Sequence, residues 1–276
     1  MLSADWTSWL RENLERGCTP DSLVQAMIAK CIDGDEAAQA VAQALTEIGI
    51  ARTATAPCWP DRFALRLANR ATIGGRLMRV IARLERPAAV LLDNVLSARE
   101  CDYLIAQSKK QMRPSTVVSP DTGEMAQIEA RSSEGAFFVR GHDETIAGIE
   151  ARLAELMQVP VDHGEGLQVL RYRTGGEYRP HYDYFPPEQA GSARHLARGG
   201  QRTASLILYL NSPEAGGETI FPLAGASFVP RCGSALYFAY CDGQGRLDTT
   251  SLHGGAPVAG GEKWIATKWV RQHPYG

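Results

Sequence analysis

The chain reads as an α+β protein, with a small all-helical start followed by an antiparallel β core closed as a barrel or jelly roll. Three observations lead there. Residues 1 to about 50 space their apolar side chains at helical intervals. From about residue 114 the texture changes to polar stretches broken by proline and glycine. Beyond that come short runs rich in β-branched and aromatic residues, "GLQVLRYR", "ASLILYL", "ASFVP", "SALYFAY" and "KWIATKWV", separated by turn residues.

Taken in order, "DWTSWLRENLERG" sets Trp6, Trp9, Leu10 and Leu14 near helical spacing and stops at Gly17. "TPDSLVQAMIAKCI" opens on Thr19-Pro20, a helix start, and lines up Leu23, Met27 and Ile28. "DGDEAAQAVAQALTEIG" predicts a third helix, with Gly49 as its cap. Residues 51–75, with Pro57, Pro60 and the Gly74-Gly75 pair, read as a linker. The expected division is therefore 1–75, helical region and linker, and 76–276, the β-rich domain. "RLMRVIARLERPAAVLLDNVLS" predicts strands. "SARECDYLIAQSKKQM" predicts a helix whose N-cap is Ser97, with Glu100 completing a capping box. Residues 115–133 predict a long polar loop of turn chemistry, suited to covering a site. "DETIAGIEARLAELMQ" predicts one more helix before the β runs begin.

Bulk properties exclude several classes. A net charge of −2 gives no pull toward nucleic acid or an anionic membrane. No stretch reaches the ~18 apolar residues of a membrane helix. The opening "MLSADWTSWLRENLERG" lacks the apolar run of a secretory signal. The cysteines at 18, 31, 58, 101, 232 and 241 form no C-x-x-C pair, which speaks against a zinc cage. Reduced thiols in the cytoplasm are the expectation.

The chemistry concentrates around "RPHYDYF". In an extended strand His181 and Asp183, two apart, point to one face. An imidazole and a carboxylate so placed are half of a metal site. Of the six histidines, His142, His163, His195 and His273 have no partner pattern, whereas His253 lies between strand candidates in "SLHGGAPVAGGEKWIATKW". Two histidines and one carboxylate suit non-haem Fe(II), leaving positions open for other ligands. A closed structural zinc site would need a fourth ligand.

The blocks "LQVLRYRTGGEYRPHYDYF", "QRTASLILYLNSPEAGGETIFP", "PRCGSALYF" and "LHGGAPVAGGEKWIATKW", in that order, resemble the prolyl 4-hydroxylase group of 2-oxoglutarate-dependent Fe(II) dioxygenases. The resemblance runs from about Pro87 to Trp269, so the N-terminal helices fall outside it. It implies a double-stranded β-helix (jelly-roll) oxygenase core with supporting helices. It implies His181, Asp183 and His253 as iron ligands and Lys263 as the partner of the remote carboxylate of 2-oxoglutarate. That carboxylate needs a cation on chemical grounds too. Tyr172 and Thr219 match positions lining the same pocket. On the substrate side the resemblance points to Tyr178, Arg202, Trp269 and Arg131. O2 is the other co-substrate, with ascorbate as reductant. The implied reaction hydroxylates an unactivated C–H bond and releases succinate and CO2. Related halogenases replace the carboxylate ligand with a small residue, so Asp183 argues for hydroxylation.

Peptidyl proline is the substrate class the resemblance implies. A free amino acid or other small metabolite stays open, as does a catalytically silent jelly roll used as a binding module. The N-terminal helices suit either homodimerisation or the binding of a macromolecular substrate.

Overall fold

The computed structural model describes residues 4–15, 18, 20–30, 32–53, 63–65, 68–115, 117–118, 124–126, 132–241 and 245–276. The chain separates into two compact units, Met1–Ala56 and Pro57–Gly276.

The first unit contains the helices Ala4–Glu15, Pro20–Ile28 and Gly34–Thr53. Leu10, Leu23, Met27, Ala37, Val41 and Ala44 form its core, with Trp6, Trp9 and Leu14 packed against it. The third helix runs through Gly49 to Thr53 rather than ending there. One interior glycine costs about 1 kcal/mol relative to alanine, which is too little to stop a helix of that length.

The second unit is built on a nine-stranded antiparallel sheet. In spatial order its strands are Arg70–Ile73, Arg76–Leu84, Ala89–Asp93, Ala235–Ala239, Arg202–Tyr209, Lys263–Arg271, Leu167–Tyr172, Glu134–Phe138 and Arg113–Pro114. A four-stranded sheet, ordered Ala226–Phe228, Thr219–Phe221, His253–Gly255, Tyr178–His181, supplies the other layer of the jelly roll. Strand alternation assigns the residues to two cores. Leu206, Leu208, Trp264, Ala266 and Val270 join Cys101, Leu104, Ile149 and Leu153 of the helices Ala98–Ser108 and Glu144–Met157. Ile207, Tyr209 and Ile265 instead join Phe221 and Phe228 of the smaller sheet. The helix after Ser97 starts as the sequence predicts: the Glu100 backbone N–H donates to Ser97 Oγ, and the Ser97 N–H donates back to the Glu100 carboxylate at 2.8 Å.

Two expectations change. The segment before Arg76 is not a linker to the helical region. Gly74 and Gly75 are the two-residue turn of a hairpin that pairs Ile73 with Arg76. Both have positive φ, which this tight turn demands. At Gly74 a Cβ would also lie 2.6 Å from Arg152 Cγ. Phe63 and Leu65 are buried in the core of the larger unit, and Phe63 stacks on Tyr237 at 4.2 Å. The boundary at 75/76 therefore moves back to 56/57. Second, the loop expected over residues 115–133 lies mostly outside the described residues, and its described part holds a short pairing, Val117 with Ala126 and Val118 with Met125.

These packing facts predict how truncations behave. A chain starting at Pro57 is expected to fold and to decarboxylate 2-oxoglutarate. A chain starting at Arg76 loses Phe63, Leu65 and Ile73, each a buried side chain of a kind worth about 2–5 kcal/mol. It is expected to unfold at markedly lower temperature in a thermal melt. Equal melting temperatures for the two would return the boundary to residue 75.

Candidate metal centre

The strand Tyr178–His181 pairs with His253–Gly255, and the register sets His181 directly opposite His253. The strand ends at His181, so Asp183 sits in the bend just after it rather than on a continuing strand. The bend still turns its carboxylate onto the histidine pair. His181 Nε2 lies 3.6 Å from Asp183 Oδ1, and His253 Nε2 lies 3.7 Å from Oδ2. One ligand atom from each residue falls within 4.8 Å of the others, the only such three-residue group among the described residues.

The donor set is prepared for a metal. His181 Nδ1 is 2.9 Å from the Arg179 carbonyl, and His253 Nδ1 is 3.0 Å from the Ser251 carbonyl. A carbonyl only accepts, so each Nδ1 carries the proton and each Nε2 lone pair faces the site. Burial and the neighbouring His181 push His253 down to about 4, against the pull of Asp183, so it is neutral near pH 7. Burial alone would raise the Asp183 carboxyl. The rings of His253 and His181, with the Arg202 guanidinium, offset it and hold Asp183 well below the usual carboxylate range. Two imidazoles that each turn Nε2 inward and an ionised carboxylate beside them fit Fe(II). Around them Tyr178 stacks on His181 at 3.6 Å, and Phe238 lies 4.5 Å from His253.

Lys263 opens the strand Lys263–Arg271 opposite Tyr172, whose ring centroid is 5.5 Å from Nζ. It is 3% exposed and forms no ion pair among the described residues. Burial pushes its ammonium down to about 8, with Glu218 opposing. Gly255 lies beside it: a Cβ there would come into van der Waals contact with Nζ at 3.6 Å. Thr219, also buried, accepts a hydrogen bond from the Tyr209 hydroxyl at 2.8 Å, leaving its own proton free to donate. A buried cation that makes no direct ion pair among the described residues, beside a hydroxyl donor, suits an anionic ligand.

Arg202 is differently engaged. Nε and Nη2 donate to Glu165 at 2.7 and 3.0 Å, and Nη1 donates to the Asp183 carbonyl at 3.3 Å. Its guanidinium lies over the Trp269 ring at 4.0 Å. Glu165 also accepts from Arg271 at 2.7 Å. Burial would raise the Glu165 carboxyl, but Arg202 and Arg271 keep it below its usual range. Three of the five donors of Arg202 are thus taken up inside the protein, and the residue braces the backbone of Asp183.

Residues 167–271 match the 2OG-Fe(II) oxygenase superfamily. Probable prolyl 4-hydroxylase 3 of Arabidopsis thaliana is 43% identical over 208 residues, which is 68% of this chain and 71% of that protein. This chain belongs to the prolyl 4-hydroxylase family of 2-oxoglutarate- and Fe(II)-dependent oxygenases. Prolyl 4-hydroxylase 5 of the same plant is 40% identical over 208 residues, covering 68% of this chain and 70% of its own. Among solved structures, the viral collagen prolyl hydroxylase of Paramecium Bursaria Chlorella virus-1, in its 2OG complex, is 31% identical. It covers 66% of this chain and 95% of its own, with a TM-score of 0.53. The oxygenase is an Fe(II)/2-oxoglutarate enzyme with a jelly-roll core.

Within this prolyl 4-hydroxylase fold, His181, Asp183 and His253 meet at one point, and Tyr178 lies against them. Tyr172, Thr219 and Lys263 are all buried, and the Lys263 ammonium lies near the Tyr172 ring. Arg202 and Trp269 meet each other, and Arg131 lies outside the described residues. The sequence reading did not single out Ser205, Tyr209, Tyr240 or Glu165. Ser205 carried one faint signal, a small polar side chain inside the apolar run "ASLILYL".

Proposed function

We propose that this oxygenase hydroxylates prolyl residues of a peptide or protein, consuming 2-oxoglutarate and O2 and releasing succinate and CO2. The observation that carries the reading is the His181–Asp183–His253 donor set, whose His253 shares a strand with Gly255 beside the buried Lys263 ammonium, in a chain with prolyl 4-hydroxylase relatives. Bound Fe(II) supplies the redox chemistry that activates O2 and oxidises the C–H bond. The chain's own residues do the rest. The two Nε2 atoms and one Asp183 oxygen would hold the metal, a three-ligand set that would leave room for co-substrate. Lys263 takes the far carboxylate of 2-oxoglutarate, and the Thr219 hydroxyl donates beside it. Phe221 and Phe238 pack on His253 and exclude water from that side. Trp269 Nε1 is buried with no hydrogen-bond partner among the described residues, a donor suited to a substrate carbonyl.

The deciding experiment is turnover with Fe(II), 2-oxoglutarate and ascorbate over proline-containing peptides, free proline and other amino acids. Succinate release matched by one added oxygen in a prolyl peptide is expected. Tighter coupling and higher kcat/KM with a free amino acid would replace the peptide reading with the small-metabolite one. We also propose a reducing, cytoplasmic setting, in keeping with cysteines scattered along the sequence without a C-x-x-C pair.

A further inference from the structure

Asp183 brings two oxygens to a site that needs one. Each oxygen is near one imidazole, Oδ1 at 3.6 Å from His181 Nε2 and Oδ2 at 3.7 Å from His253 Nε2, so the histidines alone do not choose between them. We propose that Ser205, backed by Tyr240, makes the choice: it is a positioning residue that occupies Oδ2 and presents Oδ1 alone to the metal.

Ser205 Oγ donates to Asp183 Oδ2 at 2.5 Å and lies 3.2 Å from the Tyr240 hydroxyl. Both residues are fully buried. The proton accounting is forced. An ionised carboxylate can only accept, so the single Ser205 proton goes to Asp183. The Tyr240 proton must then go to Ser205 Oγ. The result is a one-way chain, Tyr240 to Ser205 to Asp183, in which each hydroxyl polarises the next toward the negative charge. Ser205 is itself held rigidly. It sits mid-strand, opposite Phe238 on one side and Trp269 on the other. Arg202 meanwhile fixes the Asp183 backbone through its carbonyl.

The chemical consequence concerns the open face of the metal. A carboxylate free to turn can bind through both oxygens and fill a position that co-substrate or O2 requires. Holding Oδ2 on Ser205 keeps Asp183 monodentate and the position free.

The inference rests on the metal-site reading above, and the test separates the two. The probe is Co(II) added to the metal-free full-length protein, followed by visible absorption. Wild type is expected to bind it and then respond to 2-oxoglutarate. Ser205→Ala is expected to weaken Co(II) binding about 10- to 100-fold, the usual weight of a ligand's outer partner, and to change the visible bands. Ser205→Thr keeps the hydroxyl and is expected to restore wild-type affinity and bands. Tyr240→Phe removes one oxygen without changing ring shape, and is expected to give a smaller loss with the same spectral change. If Ser205→Ala does not fold, Tyr240→Phe decides alone. Wild-type Co(II) affinity and spectrum in the folded variants overturns the positioning role. Wild-type protein that takes up no Co(II) overturns the metal site itself, and the inference with it.

Discussion

Asp183→Ala is expected to abolish coupled turnover, with a fall of more than about a thousandfold, while the fold survives. The direction follows from the donor count. Three side chains, His181, Asp183 and His253, are placed to hold a metal, and Asp183 is the only carboxylate among them. Outer partners of metal ligands already account for about 10- to 100-fold in affinity, so losing a ligand itself weighs more. The site lies beside the inter-sheet core, and the substitution removes no large apolar side chain from it. It does leave the buried Ser205 hydroxyl without its acceptor, a cost of about 1–3 kcal/mol. Circular dichroism is therefore expected to look native, with a modestly lower melting temperature. His181→Ala and His253→Ala are expected to follow the same pattern, with His253→Ala the less stable because that ring is buried against Phe221 and Phe238. Metal content and succinate formation measured together check this. Wild-type iron content with retained coupled turnover in any one variant would remove that residue from the site.

Lys263→Met should produce two effects of opposite sign. Removing one partner of a buried charge pair costs about 2–5 kcal/mol, so 2-oxoglutarate affinity is expected to fall roughly thirty- to five-thousandfold. The free protein is expected to gain stability near neutral pH. Its native Lys263 pKa lies near 8, below the ordinary 10.5, because burial disfavours the ammonium. The unfolded chain therefore binds the proton more readily than the folded one. That penalty is complete below about pH 8 and fades as the pH rises from 8 toward 10.5. Methionine has similar length and no charge to bury. Binding by the wild type carries the complementary pH signature. The ammonium is present in the free protein below about 8, so affinity is expected to weaken about tenfold per pH unit above that value, until the pKa of the complex is reached. Calorimetric titration of 2-oxoglutarate across pH 7–10, with thermal melts of both proteins, tests the argument. A pH-independent Kd in the wild type, or unchanged affinity in Lys263→Met, would take Lys263 out of the pocket.

Much of the chemistry was legible before any coordinates. His181, Asp183, His253 and Lys263 stand in ordered blocks, and His181 and Asp183 are near neighbours in the chain, although a bend rather than strand alternation brings them together. The Ser97–Glu100 capping box was equally readable, because a cap is satisfied within four consecutive residues. Other features misled. Gly49 resembles a helix stop and Gly74-Gly75 a linker, but the same residue type serves a helix interior in one place and a tight hairpin in the other. The polar run after Ser115 reads as loop, yet its Val117–Val118 and Met125–Ala126 segments pair as strands. Two-residue strands are too short to show a period of two.

The sequence by itself determined which residue types the centre contains and, through alternation, that Lys263, Ile265, Thr267 and Trp269 share one face of a strand. Only the tertiary structure decided how those residues are engaged. Whether Arg202 faces substrate or an internal carboxylate depends on Glu165, 37 positions away. Which oxygen of Asp183 is free depends on Ser205 and Tyr240, 22 and 57 residues on. Strand pairing of Arg202–Tyr209 with its two neighbours puts those groups in place. Periodicity reports the face a side chain takes on its own element. The acceptor it meets is set by sheet order and register, which arise from long-range packing that no local pattern encodes.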